Sequence, residues 1–179
     1  MALADFVAPW AADAYRHAPS GPNFDPLNFR FVGRSPDNRW NAPSEPTLYL
    51  ASDHAVVLGE FARHYREDTS PDAQRQTISR QVYRLRVGVE RALDLRDPRA
   101  LVALSIRDAP NCFLDRHVGR AVGRYVRATT PAQAMLVPSM AFLDDPERWV
   151  AVLLLEKLPP DPRRFITAVE GVRTLRLDP

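Results

Sequence analysis

The stretch NRWNAPSEPTLYLASDHAVVLGEFARHY, Asn38 to Tyr65, decides the fold. Its middle, Thr47 to Ala51, is a short apolar run that reads as a buried strand. Side chains alternate along a strand, so Leu48 and Leu50 share one face and Tyr49 takes the other. Ser52 or Asp53 then suits the N-cap of a helix, because a short polar side chain accepts a hydrogen bond from an orphan N–H of the first turn. Val56, Val57, Phe61 and Ala62 recur at helical spacing up to about Tyr65. A strand that passes into a helix across one cap points to a mixed α+β architecture.

Working outward, Phe6 to His17 fits either a short helix or a strand. Ala18 to Arg39 is loop-like, with Pro19, Gly21, Pro22, Pro26, Gly33 and Pro36, yet Phe24, Leu27, Phe29 and Phe31 require it to pack somewhere. Downstream, Gln81 to Val89 is a strand in which Val82, Tyr83, Leu85, Val87 and Val89 are interrupted by Arg84 and Arg86, and Leu93 to Leu95 continues it after a bend. Asp97-Pro98 opens a short helical piece to Leu104. Asp115 to Tyr125 is helical. Ala134 to Val137 is a strand ending at Pro138-Ser139, and Trp149 to Leu155, nearly all apolar, is a central strand. Phe165 to Val169 and Val172 to Leu177 read as a closing hairpin about Glu170-Gly171. No repeat or linker divides the 179 residues. The expectation is a single α+β domain over residues 1–179, with mixed, mainly antiparallel sheets and flanking helices.

Composition narrows the function. Hydrophobic residues at 45% and charged residues at 26% exclude a disordered chain. Seventeen prolines against seven glycines imply stiff loops. Lys157 is the only lysine, so nearly every cation is an arginine, whose planar fork suits phosphates and carboxylates. A GC-rich genome would produce the same bias. The net charge of +2 gives no basis for a nucleic-acid binder. Cys112, the only cysteine, rules out an internal disulfide and a Cys-rich zinc site. His17, His54, His64 and His117 show no metal-ligand spacing, and neither GxGxxG nor a Walker A sequence occurs. Met1 to Trp10 lacks the basic start of a signal peptide, and Trp149 to Leu155 is too short to span a bilayer. These features lead to the expectation of a cytoplasmic protein with no metal, no membrane contact and no resident cofactor.

Several separated segments carry a resemblance. Asn38-Arg39-Trp40-Asn41-Ala42-Pro43, then Thr47-Leu48-Tyr49-Leu50-Ala51-Ser52, then Ala55 to Glu60 resemble the RES-domain family, whose pattern is close to G-R-W-N-x-P, x-L-Y-x-A-S and a helix bearing a glutamate. Tyr15-Arg16-His17 looks like that family's first arginine segment. Ala134-Met135-Leu136-Val137-Pro138-Ser139 looks like its serine segment. Asn38 stands where the family usually has glycine, Met140 replaces the common alanine, and Asp144 to Arg148 lacks an asparagine. The resemblance implies an ADP-ribosyltransferase-like fold. It also implies consumption of NAD+ as substrate, by phosphorolysis with inorganic phosphate as co-substrate, by hydrolysis, or by transfer of ADP-ribose to a protein. It further implies a toxin held inactive by a helix-turn-helix antitoxin. A catalytically weakened interaction module is the reading from another class, and a homo- or hetero-oligomer stays open.

NAD+ carries an anionic pyrophosphate and a cationic nicotinamide, and cleavage leaves an oxocarbenium-like ribose. Arg16 and Arg39 are therefore assigned to the pyrophosphate, with Arg30 and Arg34 as alternatives in the same segment. Tyr49 is assigned to stacking on nicotinamide. Glu60 is assigned to the ribose and its developing charge. Ser139 is assigned to donating a hydrogen bond to the amide or a phosphate, not to nucleophilic attack, since no His/Asp arrangement surrounds it. Each residue also has a plainer reading. An arginine often serves structure, Tyr49 suits a core tyrosine, Ser139 suits a turn, and Glu60 alone suits a solvent-facing position paired with His64. The functional reading requires these groups to converge, and a Glu60 carboxylate on the far side of the molecule from Arg39 and Tyr49 would end it.

Overall fold

Strand β1, Val7–Pro19, runs antiparallel to β3, Arg80–Asp94, from Val7 against Leu93 to Pro19 against Arg80. The computed structural model describes residues 2–21, 24–30, 32, 38–67 and 79–175, with backbone alone at 64–67 and 175. Between these two strands come β2, Thr47–Ala51, and helix α1, His54–Glu67. After β3 follow α2, Pro98–Ala103, α3, Arg116–Thr129, β4, Ala134–Pro138, β5, Trp149–Leu154, and β6, Ile166–Leu175. Aspartates start the helices as short acceptors should. Asp53 accepts from the Val56 N–H at 2.9 Å, Asp97 from Arg99 at 2.9 Å and Asp115 from His117 at 2.7 Å.

The strands form one sheet in the order β1-β2-β5-β4-β3-β6, and β1 also pairs with β3. Five strands therefore close into a ring, and β6 is added outside it. Closure at β1–β2 rests on one register pair, Tyr15 against Ala51. The edge of β3 away from β1 is shared. Arg80 to Val87 pairs with β6, while Ala92 to Asp94 pairs with β4 in the sheet's parallel contact.

Alternation gives the sheet two apolar faces. Leu48 and Leu50 lie on one with Ala14, Leu85, Val87, Ala151 and Leu153. On the other, Met135, Val137, Val152 and Leu154 pack with Trp40, Phe113, Val122 and Val126, and α1 covers Ala51 and Val82 with Val56 and Val57.

The elements between Thr47 and Leu154 follow the sequence expectation closely. Phe6 to His17 resolves as strand, because β3 supplies a partner along nearly its whole length. β3 continues through Leu93 without a break, and α3 extends beyond Tyr125 to Thr129. The expected hairpin about Glu170-Gly171 is a single strand instead. Glu170 faces Arg84, Gly171 faces Tyr83, and a register shift absorbs Val172. A ladder of 15 residues in β3 lets the extra residue enter as a bulge and makes a turn unnecessary. Among the described residues, no helix is long and apolar enough to cross a membrane.

Candidate active site

Helix α1 sets the acid. Gly59 lies against the turn after β4, where a Cβ would come 2.7 Å from the Phe142 ring and 3.0 Å from the Ala141 Cβ. The absent side chain lets the helix approach closely enough for the next residue to reach across. Glu60 Oε1 accepts from the Ser139 hydroxyl at 2.7 Å and from the Ala141 N–H at 3.1 Å. Glu60 Oε2 accepts from Arg63 Nε at 3.2 Å and Nη2 at 3.0 Å. Ser139 is fully buried, and its N–H donates to the Arg148 carbonyl at 3.0 Å. One carboxylate oxygen is thus fastened inside the protein, and the other is held by an arginine that is 25% exposed.

The Arg39–Asn41 segment forms a second unit. The Tyr49 hydroxyl donates to Asn41 Oδ1 at 2.7 Å and accepts from the Trp40 N–H at 3.1 Å. Burial pushes this phenol above the usual tyrosine range, against the opposing effects of the Trp40 bond and of Arg127, Arg120 and Arg39. It therefore stays protonated and keeps donating at neutral pH. Buried Arg39 donates through Nη1 to the carbonyls of Phe113 at 2.7 Å and Leu114 at 2.6 Å. Helix α3 clamps the segment from outside. A Cβ on Gly119 would meet the Arg39 carbonyl at 2.9 Å, and one on Gly123 would meet the Trp40 carbonyl at 2.2 Å. Trp40 stacks edge-on to Phe113 with ring centres 4.9 Å apart.

Arg16 stands apart. It follows Tyr15 on β1 and so faces the Leu48 side of the sheet, where its Nη1 donates to the Pro26 carbonyl at 2.8 Å and its guanidinium lies 5.4 Å from the Phe29 ring. Burial pulls it down to about 10, so it remains charged at neutral pH. Its contacts tie the 24–30 segment to the barrel. Arg30 is exposed. Arg34, Phe31 and the His64 side chain lie outside the described residues.

The structure brings Glu60 and Ser139 into direct contact and joins Arg39 to Tyr49 through Trp40 and Asn41. Both units lie on the Tyr49 face, where Trp40, Tyr49, Met140 and Val150 belong to one apolar cluster. Arg16 does face away from them, and Arg39 directs its Nη1 to the Phe113 and Leu114 carbonyls. Sequence reasoning missed Arg63, Asn41 and the three helical glycines. Arg63 was signalled by its place three residues after Glu60.

A ring-forming α+β domain with a glutamate–serine pair beneath one helix and an Arg-Trp-Asn segment clamped by another defines a class of fold and site. The chain belongs to the RES-domain family, whose model matches residues 8–178. Among solved structures, a chain of the M. tuberculosis MbcT-MbcA toxin-antitoxin complex is similar, with a TM-score of 0.67 and 20% identity over 96% of this chain and 86% of that one. No curated protein gives a significant sequence match.

Proposed function

We propose that this protein is an NAD+-consuming enzyme that breaks the nicotinamide–ribose bond and serves as the toxin of a toxin–antitoxin pair. The observation that carries the reading is the Glu60 carboxylate, pinned at one oxygen by Ser139 and the Ala141 amide on the face that bears Tyr49. A carboxylate held in advance stabilises positive charge at the anomeric carbon without reorganising during reaction. In this reading the Tyr49 ring, only partly buried on that face, supplies the aromatic surface for the nicotinamide. The ADP-ribosyltransferase-like character of the fold and the cytoplasmic setting belong to the same reading.

Family membership supports the enzymatic half, and the likeness to the MbcT-MbcA complex supports the antitoxin half. The proposed antitoxin is a helix-turn-helix protein that covers the cleft. The 24–30 segment offers it less apolar surface than its sequence suggests. Leu27 and Phe29 pack against the barrel, and Phe24 is left 47% exposed.

The test is incubation of the purified chain with NAD+, with and without inorganic phosphate, followed by chromatography of the products. ADP-ribose 1″-phosphate marks phosphorolysis, ADP-ribose marks hydrolysis, and label on protein marks transfer. Glu60→Ala is expected to lower kcat by about 10²–10³, as loss of an electrostatic stabiliser does. Undiminished NAD+ in every arm, with antitoxin absent, would leave the weakened interaction module as the better account.

A further inference from the structure

The two arginines expected to hold the dinucleotide's phosphates are engaged elsewhere. Arg39 donates to the Phe113 and Leu114 carbonyls, and Arg16 lies on the other face against Pro26 and Phe29. Arg63 lies beside the acid itself. Its Nε and Nη2 converge on Glu60 Oε2, with side chains 25% and 22% exposed. A partly exposed pair of helical neighbours contributes little and exchanges readily. The other carboxylate oxygen is tied to buried Ser139 and to a backbone amide. Glu60 therefore keeps its orientation when Arg63 leaves.

The charges indicate when it should leave. An acid that stabilises a cationic ribose is blunted by a guanidinium on the same oxygen. A pyrophosphate is a stronger, bidentate partner for that guanidinium than a partly solvated carboxylate. We infer that Arg63 is a substrate-binding residue which exchanges Glu60 for the pyrophosphate of the bound dinucleotide, so that the phosphates uncover the oxygen that faces the ribose. The inference rests on the NAD+ reading above and adds to it a residue and an order of events.

Calorimetric binding of ADP-ribose, which has the pyrophosphate and lacks nicotinamide, tests it without turnover. Arg63→Gln is expected to weaken ADP-ribose at least tenfold and to flatten the salt dependence of binding. Arg63→Lys, which keeps the charge and loses the fork, should fall between. Adenosine, which lacks phosphate, should bind all three proteins alike, and an unchanged thermal midpoint verifies folding. Binding of ADP-ribose to Arg63→Gln within twofold of wild type overturns the inference. So does an equal loss for adenosine, or no ADP-ribose binding to wild type. Arg63-dependent binding by a protein that leaves NAD+ intact would uphold the inference and sink the bond-cleaving reading.

Discussion

At the residue scale, Tyr49 ties its strand to the Trp40–Asn41 segment through both a donated and an accepted bond. Tyr49→Phe keeps the ring and removes both. The expected outcome is a loss of about 1–3 kcal/mol in stability, read from chemical denaturation, because a buried N–H and an amide oxygen each lose a partner. Cys112 gives a second prediction. Burial, and then Asp108, raise its thiol above the ordinary cysteine range. The protonated form therefore dominates at neutral pH, and the thiolate is the reactive species. Alkylation by iodoacetamide should be slower than for a free cysteine at pH 7 and accelerate as pH rises; equal rates would contradict the burial. The acid was legible through the family resemblance, because its helical position alone equally suited a solvent-facing glutamate. The fate of Arg39 was not, since its carbonyl partners lie 74 and 75 residues away in the chain.

At the element scale, two helices owe their seats to missing side chains. A methyl group on Gly123 would meet a backbone carbonyl, which cannot swing aside. Gly123→Ala should cost about 3 kcal/mol, the upper end of over-packing, measured as a fall in Tm. Gly59→Ala meets a phenyl edge and a methyl group, which yield more easily. Its stability cost should be about 1 kcal/mol, while NAD+ turnover falls more than tenfold because Glu60 is lifted from Ser139. Gly88 is the control, since its Cβ would sit 3.7 Å from the Ala11 Cβ in ordinary contact; Gly88→Ala should be neutral within about 0.5 kcal/mol. Local patterns exposed the strands and caps here. They did not expose these approaches, because a glycine inside a helix looks the same whether it touches solvent or a distant backbone. Glu170-Gly171 misled in the opposite way, as a pair that suits a turn also suits a bulge once a long partner strand is present.

For the whole molecule, the ring of five strands and the strand outside it should differ in local stability. Met135, Val152 and Leu85 lie fully buried in the ring, whereas Thr167 to Thr174 of β6 are exposed. Native-state hydrogen exchange should find the slowest amides in β3, β4 and β5 and faster ones in β6. Uniform protection through β6 would show that it opens only with the ring. Closure of the ring was beyond the sequence, because it depends on β1 meeting β3 across a span of more than 60 residues. The alternation of each strand showed what it would bury without showing which neighbour would take its edge.

The placement of β6 outside the ring has a consequence for synthesis. Every ring strand ends by Leu154, and the acid, the serine and the Arg-Trp-Asn segment all precede it. A ribosome delivers the chain in that order. The glutamate–serine pair and its frame are therefore made before the final strand exists, and β6 arrives late along the open edge of β3, bringing Phe165 and Ile166 into the cluster of Leu85 and Val87.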